Sequence, residues 1–190
     1  MREDLNSLLR RTRIVSGFIL FFYAATHLLN HSLATFSIST ADAAREYFIA
    51  FWRNPVAEIF LFASFALHIL LGIQAVLRRK SFKMTKREWL QMTFPFVALL
   101  ALIPHVLTTA ILSRMFAVTD NYELIFAATL VDPSKASKNV IFFSLMVVLI
   151  WTHGVIGIHG LLKTKPLYAR LRQTIIGFYW AVPVLSLIHI

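Results

Sequence analysis

The chain has 190 residues, 58% of them hydrophobic and 17 of them Phe, with a formal net charge of +10. It has no cysteine, which excludes a thioether-attached haem, a thiolate-ligated iron–sulfur cluster and any disulfide framework. A mean hydropathy of +0.69 excludes an ordinary soluble domain, because the apolar runs reach the ~20 residues that cross a bilayer.

The first apolar segment, 14–33, follows Arg2, Arg10, Arg11 and Arg13. It is too long for a signal peptide and continues into a polar HLLNHS rather than a small-residue cleavage site, so it reads as a retained span. Residues 40–53, TADAAREYFIAFWR, offer a helix cap at Thr40 or Asp42 and carry Tyr47, Phe48, Phe51 and Trp52. They read as a short interfacial helix. The second span is expected at 56–77 and the third at 89–112. Pro95 and Pro104 would kink the third, which neighbouring helices can tolerate. A long extracytoplasmic loop, 114–138, contains YELIFAATLV. This patch either folds over the outer face or lies at the headgroups, the second being the expectation. A fourth span at 140–162 and a fifth at 174–190 complete the pattern. The expected fold is all-α, a single integral membrane bundle of about five transmembrane helices.

Basic residues set the orientation. Arg2, Arg10, Arg11 and Arg13 precede the first span, and Arg78, Arg79, Lys80, Lys83, Lys86 and Arg87 fill the second-to-third connection. Lys163, Lys165, Arg170 and Arg172 fill the fourth-to-fifth, leaving Arg45, Arg53, Arg114, Lys135 and Lys138 on the other side. By the positive-inside rule the N-terminus is cytoplasmic. The charge therefore reads as topology, and no nucleic-acid partner is expected.

Six of the seven histidines fall in the first four expected spans: His27, His31, His68, His105, His153 and His159. An imidazole inside a span is costly, and such residues are either functional or neutral hydrogen-bonding glue between helices. At ~1.5 Å rise per residue, His68 and His153 each lie roughly 15 Å from the basic residues that end their helices. They share an inner level. His27 lies roughly 21 Å above Arg13, and His105 roughly 27 Å above Arg87, forming an outer level. By depth alone His31 matches His105 better than His27 does. His159 lies on a different face from His153, and His189 at the chain end has no expected role. Two histidines at one depth on diagonal helices can bind one iron axially, and two levels would stack two haems in a four-helix haem-binding core.

Gly72 and Gly157 stand four residues after His68 and His153 in matching H-x-x-x-G-I patterns. On a helix each glycine shares its histidine's face, giving a flat macrocycle access to the backbone; the plainer reading is close helix packing. The spans hold almost no Asp or Glu, so a zinc centre, a di-iron centre or a carboxylate relay fits less well. Arg13, Ser16, Arg78 and Arg79 are candidates to pair inner propionates. Asn30, His31 and Arg114 could do so at the outer end or line a quinone pocket. All of these also suit ordinary interfacial anchoring.

The stretch SGFILFFYAATHLLNHS and the two H-x-x-x-G-I patterns resemble the dihaem cytochrome b subunits of succinate:quinone and fumarate:quinone reductases. That resemblance implies five spans and one ligating histidine from each of four helices. Carried onto this chain, His27 and His105 would ligate the outer haem b and His68 and His153 the inner, favouring His27 over His31. The N-terminal MREDLNSLLRRTRIVSGFILFFYAATHLLNHSL with the later FWRNP is similar to the membrane anchor that precedes a class III adenylate cyclase domain in certain bacteria. This implies a redox- or quinone-responsive anchor in the bacterial cytoplasmic (inner) membrane, homodimeric because a cyclase centre needs two catalytic domains. The 190 residues hold no cyclase domain, and a cytoplasmic one would require a further span. The alternative is a respiratory cytochrome b subunit carrying electrons between quinone and a flavoprotein/iron–sulfur partner. A second alternative is a haem-free membrane scaffold. On every one of these readings the chain alone is not expected to be catalytic.

Overall fold

The structure, a computed structural model, describes residues 2–117, 121–124 and 133–187. The expectations for His189 and for 125–131 of the apolar patch lie outside these residues. The described elements are helical, with no strand among them.

Helix α1 (Arg2–Ser32) has 31 residues, about 46 Å of helix against a hydrocarbon core of ~30 Å. It therefore starts well before the apolar run at Ile14. Glu3 and Asp4 in its first turn complement the positive end of the helix dipole. A 3-10 turn, Leu33–Thr35, leads to α2 (Ile38–Trp52). The cap of α2 is Ser37, whose side chain accepts the Thr40 N–H at 3.0 Å. Neither expected cap is used. The Thr40 hydroxyl pairs with Ser37 at 2.7 Å, and Asp42 Oδ1 accepts the Tyr122 N–H at 2.8 Å.

Helix α3 (Pro55–Leu77) begins with Asn54 as cap and Pro55 in its first turn, where a missing N–H costs nothing. Helix α4 (Lys86–Met115) starts on a capping box between Thr85 and Glu88 and continues through Pro95 and Pro104. A π-turn follows at Leu107–Leu112. Threonine hydroxyls satisfy the neighbouring carbonyls: Thr108 donates to Pro104 O at 2.9 Å and Thr109 to His105 O at 2.7 Å. Such substitution is what apolar surroundings demand of a broken helical ladder. Helix α5 (Pro133–Leu162) takes in the last part of the expected 114–138 loop. Helix α6 (Pro166–Leu187) closes the chain.

Among the described residues, four helices are long and apolar enough to cross a membrane: Glu3–Thr35, Pro55–Leu77, Lys86–Met115 and Ser134–Leu162. Helix α6 has 22 residues, but Arg170 and Arg172 occupy its first half and the expected apolar run reaches into 188–190, beyond the described residues. Large apolar side chains face outward, among them Ile59, Phe60 and Leu100. Such a surface is suited to acyl chains and not to water.

Two helix pairs carry the packing, α1 with α3 and α4 with α5, while α6 rests on α1 and α5. The apolar core joins α1, α5 and α6 through Ala25, Leu28, Trp151 and Val182. Phe21 stacks on Trp151 at 5.1 Å, and the Trp151 indole N–H donates to Tyr179 O at 2.6 Å. Gly154 makes this contact possible, since a Cβ there would stand 2.6 Å from the Phe21 ring. Gly154→Ala is therefore expected to overpack the α1–α5 contact and cost about 1–3 kcal/mol. A lowered thermal midpoint in detergent checks this, and an unchanged midpoint would refute it.

Candidate functional site

A cavity of about 1350 Å³ runs along the bundle, from Arg10 and Arg13 at the basic end, labelled inner after the sequence expectation, to Asn30 and Tyr122 at the end labelled outer. Pockets for one drug-sized ligand occupy ~300–1,000 Å³, so this space exceeds that class. Its wall carries His27, His68, His105 and His153.

The four histidines meet in two pairs. His68 on α3 faces His153 on α5 with ring centroids 6.1 Å apart. His27 on α1 faces His105 on α4 at 6.2 Å. Each pair joins one helix of the α1–α3 unit to one of the α4–α5 unit. Two imidazoles on opposite sides of one metal, with metal–nitrogen bonds of ~2.0 Å and roughly 1.1 Å from nitrogen to ring centre, stand about 6.2 Å apart. Both pairs have this spacing. No group of three or more His, Asp or Glu side chains arranged to hold a metal occurs among the described residues.

Inner and outer pairs differ in how their rings are held. His68 Nδ1 lies 3.2 Å from the Arg13 carbonyl oxygen and 3.3 Å from Ser16 Oγ, and His153 Nδ1 lies 2.9 Å from the Gln91 carbonyl oxygen. A carbonyl can only accept, so each Nδ1 carries the proton and each Nε2 keeps its lone pair. In the outer pair, His27 Nε2 is 3.2 Å from His31 Nε2. The His105 ring makes no hydrogen bond among the described residues, though its carbonyl accepts from Thr109. Aromatic rings wall this level: Tyr23 is stacked on His27 at 5.6 Å, with Phe48 also at 5.6 Å and Phe143 beside His105 at 6.3 Å. The ring that meets His105 is that of His27; His31 turns to His27 and, edge-on, to Tyr122.

The other expected site residues divide. Nothing stands within 4 Å of a Cβ built on Gly72, which lines the cavity, whereas one on Gly157 would touch Gln91 Nε2 at 3.4 Å. Arg13 and Arg79 line the inner end; Arg79 is also 3.7 Å from Glu88. Arg78 instead donates to Asn6 Oδ1 at 3.1 Å in a separate small cleft. Ser16, expected at a propionate, is turned to His68 and Arg13 O. His159 bonds the Tyr168 hydroxyl at 2.5 Å, away from the cavity wall. Arg114 pairs with Glu58 at 2.6 Å at the outer end.

Asn30 closes the outer end. Its amide donates to Tyr122 Oη at 2.7 Å and to Ala41 O at 3.3 Å, so both amide hydrogens are committed to protein. Tyr122 is 4% exposed. Tyr122 thus docks onto the bundle, its phenol accepting from Asn30 and its backbone N–H donating to Asp42 Oδ1, while Glu123 and Leu124 stay exposed. Residues the spacing patterns did not single out are Gly17, Gln91, Gly154 and Tyr122. Gln91 Oε1 is buried without a hydrogen-bond partner among the described residues. No helical period marks any of them, since each matters through a contact with another element.

Burial pushes the Tyr122 phenol up from its ordinary 10 to about 12, against the opposing effect of the Asn30 hydrogen bond. A pKa raised on docking leaves stability unchanged below pH ~10 and withdraws it between ~10 and 12, where only the undocked phenol ionises. In a tyrosinate absorbance titration, the difference between wild type and Tyr122→Phe is expected to titrate near 12; a difference centred at 10 would show the phenol undocked. Compared with known proteins, the chain matches no family model, no curated protein and no solved structure.

Proposed function

We propose that this chain is a b-type dihaem membrane anchor that carries electrons across the bilayer. The observation that carries the reading is the pair of imidazole pairs, 6.1 and 6.2 Å apart, in one long cavity. Two donors per level are too few for a bare zinc or di-iron centre. They suit a metal that brings its own equatorial ligand. The space before Gly72 and the length of the cavity accord with large flat ligands.

On this reading His68 and His153 would hold the inner haem, and His27 and His105 the outer. Bound there, haem would supply one-electron transfer. The Arg13 and Gln91 carbonyls keep the proton on Nδ1 of the inner ligands, and so keep Nε2 a donor toward iron. Tyr23, Phe48 and Phe143 exclude water from the outer pair. Arg13 at the inner end would offer charge to a propionate, whereas Arg79 and Arg114 are paired with Glu88 and Glu58. The basic connections orient the chain with its N-terminus in the cytoplasm, in five spans counting α6. A lipid-soluble quinone is the natural electron partner.

The resemblance in the first span and the FWRNP stretch favours a bacterial cyclase anchor, in which redox state biases the helices leading to a dimeric catalytic domain. The rival is a respiratory subunit beside flavoprotein and iron–sulfur partners. The coding sequence beyond Ile190 and its neighbouring genes separate the two.

A reduced-minus-oxidised spectrum of the purified protein is expected to show a b-type alpha band at two haems per chain. His68→Ala or His153→Ala should lower the ratio to one, and His27→Ala or His105→Ala should remove the other haem. A wild-type protein without the band sinks the reading.

A further inference from the structure

The two histidine pairs have nearly equal spacing and unequal support. On the inner side, three features of α1 converge on one ring. Ser16 is 3% exposed, and its hydroxyl donates to the Arg13 carbonyl at 3.1 Å while standing 3.3 Å from His68 Nδ1. The same Arg13 carbonyl lies 3.2 Å from His68 Nδ1. Next along the chain, Gly17 meets the ring itself: a Cβ there would fall 2.9 Å from His68 Cε1 and 3.3 Å from Nδ1. Among the described residues no other histidine ring of the cavity meets two oxygen acceptors and a glycine at once; His153 Nδ1 has the Gln91 carbonyl. His27 touches another histidine, and the His105 ring has no hydrogen-bond partner among the described residues.

We propose that Ser16 and Gly17 are positioning residues for His68, forming a seat on α1 that fixes the ring's place and tautomer and sets its donor strength toward the inner iron. The inference rests on the dihaem reading and goes beyond it, since neither residue is a ligand.

Two effects act on the His68 ring. The His68 Nδ1–H is shared between two oxygen acceptors, and acceptors behind a ligating imidazole raise its basicity. A more basic axial ligand favours the oxidised iron, so losing an acceptor moves the potential upward. Gly17 acts by shape. The atom a Cβ would strike belongs to the free end of the His68 side chain, so the clash is relieved by displacing that ring rather than the backbone. A displaced ring abandons the 6.1 Å spacing to His153.

The test uses redox titration and haem stoichiometry of the full chain. The inner haem is identified as the titration wave lost in His68→Ala. Ser16→Ala is expected to keep two haems and shift only that wave upward, while Ser16→Thr, which restores the hydroxyl, returns it to the wild-type value. Gly17→Ala is expected to halve the haem content, with the outer wave unmoved. A Ser16→Ala protein with both potentials at wild-type values, a Ser16→Thr protein that fails to restore, or a Gly17→Ala protein that still holds two haems overturns the proposal. A wild type that binds no haem strikes the dihaem reading itself, so the two failures are distinguishable.

Discussion

An imidazole at the depth of acyl chains has little water to turn to, so its N–H is best satisfied by a partner within the protein. Much of this bundle follows from that constraint. His68 and His153 give their Nδ1 protons to backbone carbonyls on neighbouring helices. His27 turns to His31, which lies against Tyr122, and Tyr122 in turn meets Asn30. The polar interior is thus built outward from the rings. The apolar exterior needs no comparable specification, because lipid accepts any apolar side chain.

The same constraint explains the glycines. A helix pair filled with large side chains could not bring the Arg13 carbonyl within hydrogen-bonding distance of His68 or let Phe21 stack on Trp151. Gly17 and Gly154 remove the Cβ where the approach is closest, and Ala41 and Ala98, both fully buried, mark further tight contacts. Small residues at helix crossings are the usual means of close packing where no hydrophobic driving force separates protein from solvent.

How much of this could be read from the chain depends on the range of the interaction. Apolar runs, basic connections and the depth of each histidine are properties of one helix at a time. Period and rise alone therefore brought His68 level with His153. The choice of His27 over His31 opposite His105 needed more, because both lie on one face one turn apart and depth arithmetic favoured the other. Gly72 and Gly157 stood out through their spacing from a histidine on the same helix. Gly17, whose partner is on α3, had no such mark. Ser16 and Asn30 stand out in the chain only as polar residues near the ends of a span; the contacts that the fold gives them, to His68 and to Ala41 and Tyr122, lie on other elements. The cap at Ser37 was missed for a related reason: Asp42, a good capping residue in isolation, is occupied by the Tyr122 N–H.

The crosswise pairing of the histidines bears on the mechanics of the bundle. One pair ties α1 to α4 and the other ties α3 to α5, so a bridge at each level would fasten the α1–α3 unit to the α4–α5 unit at two heights. A single fastening leaves two bodies free to swivel about it. Two fastenings at different heights leave only rotation about the line that joins them, so a tilt of one unit at one end of the cavity would be carried to the other end.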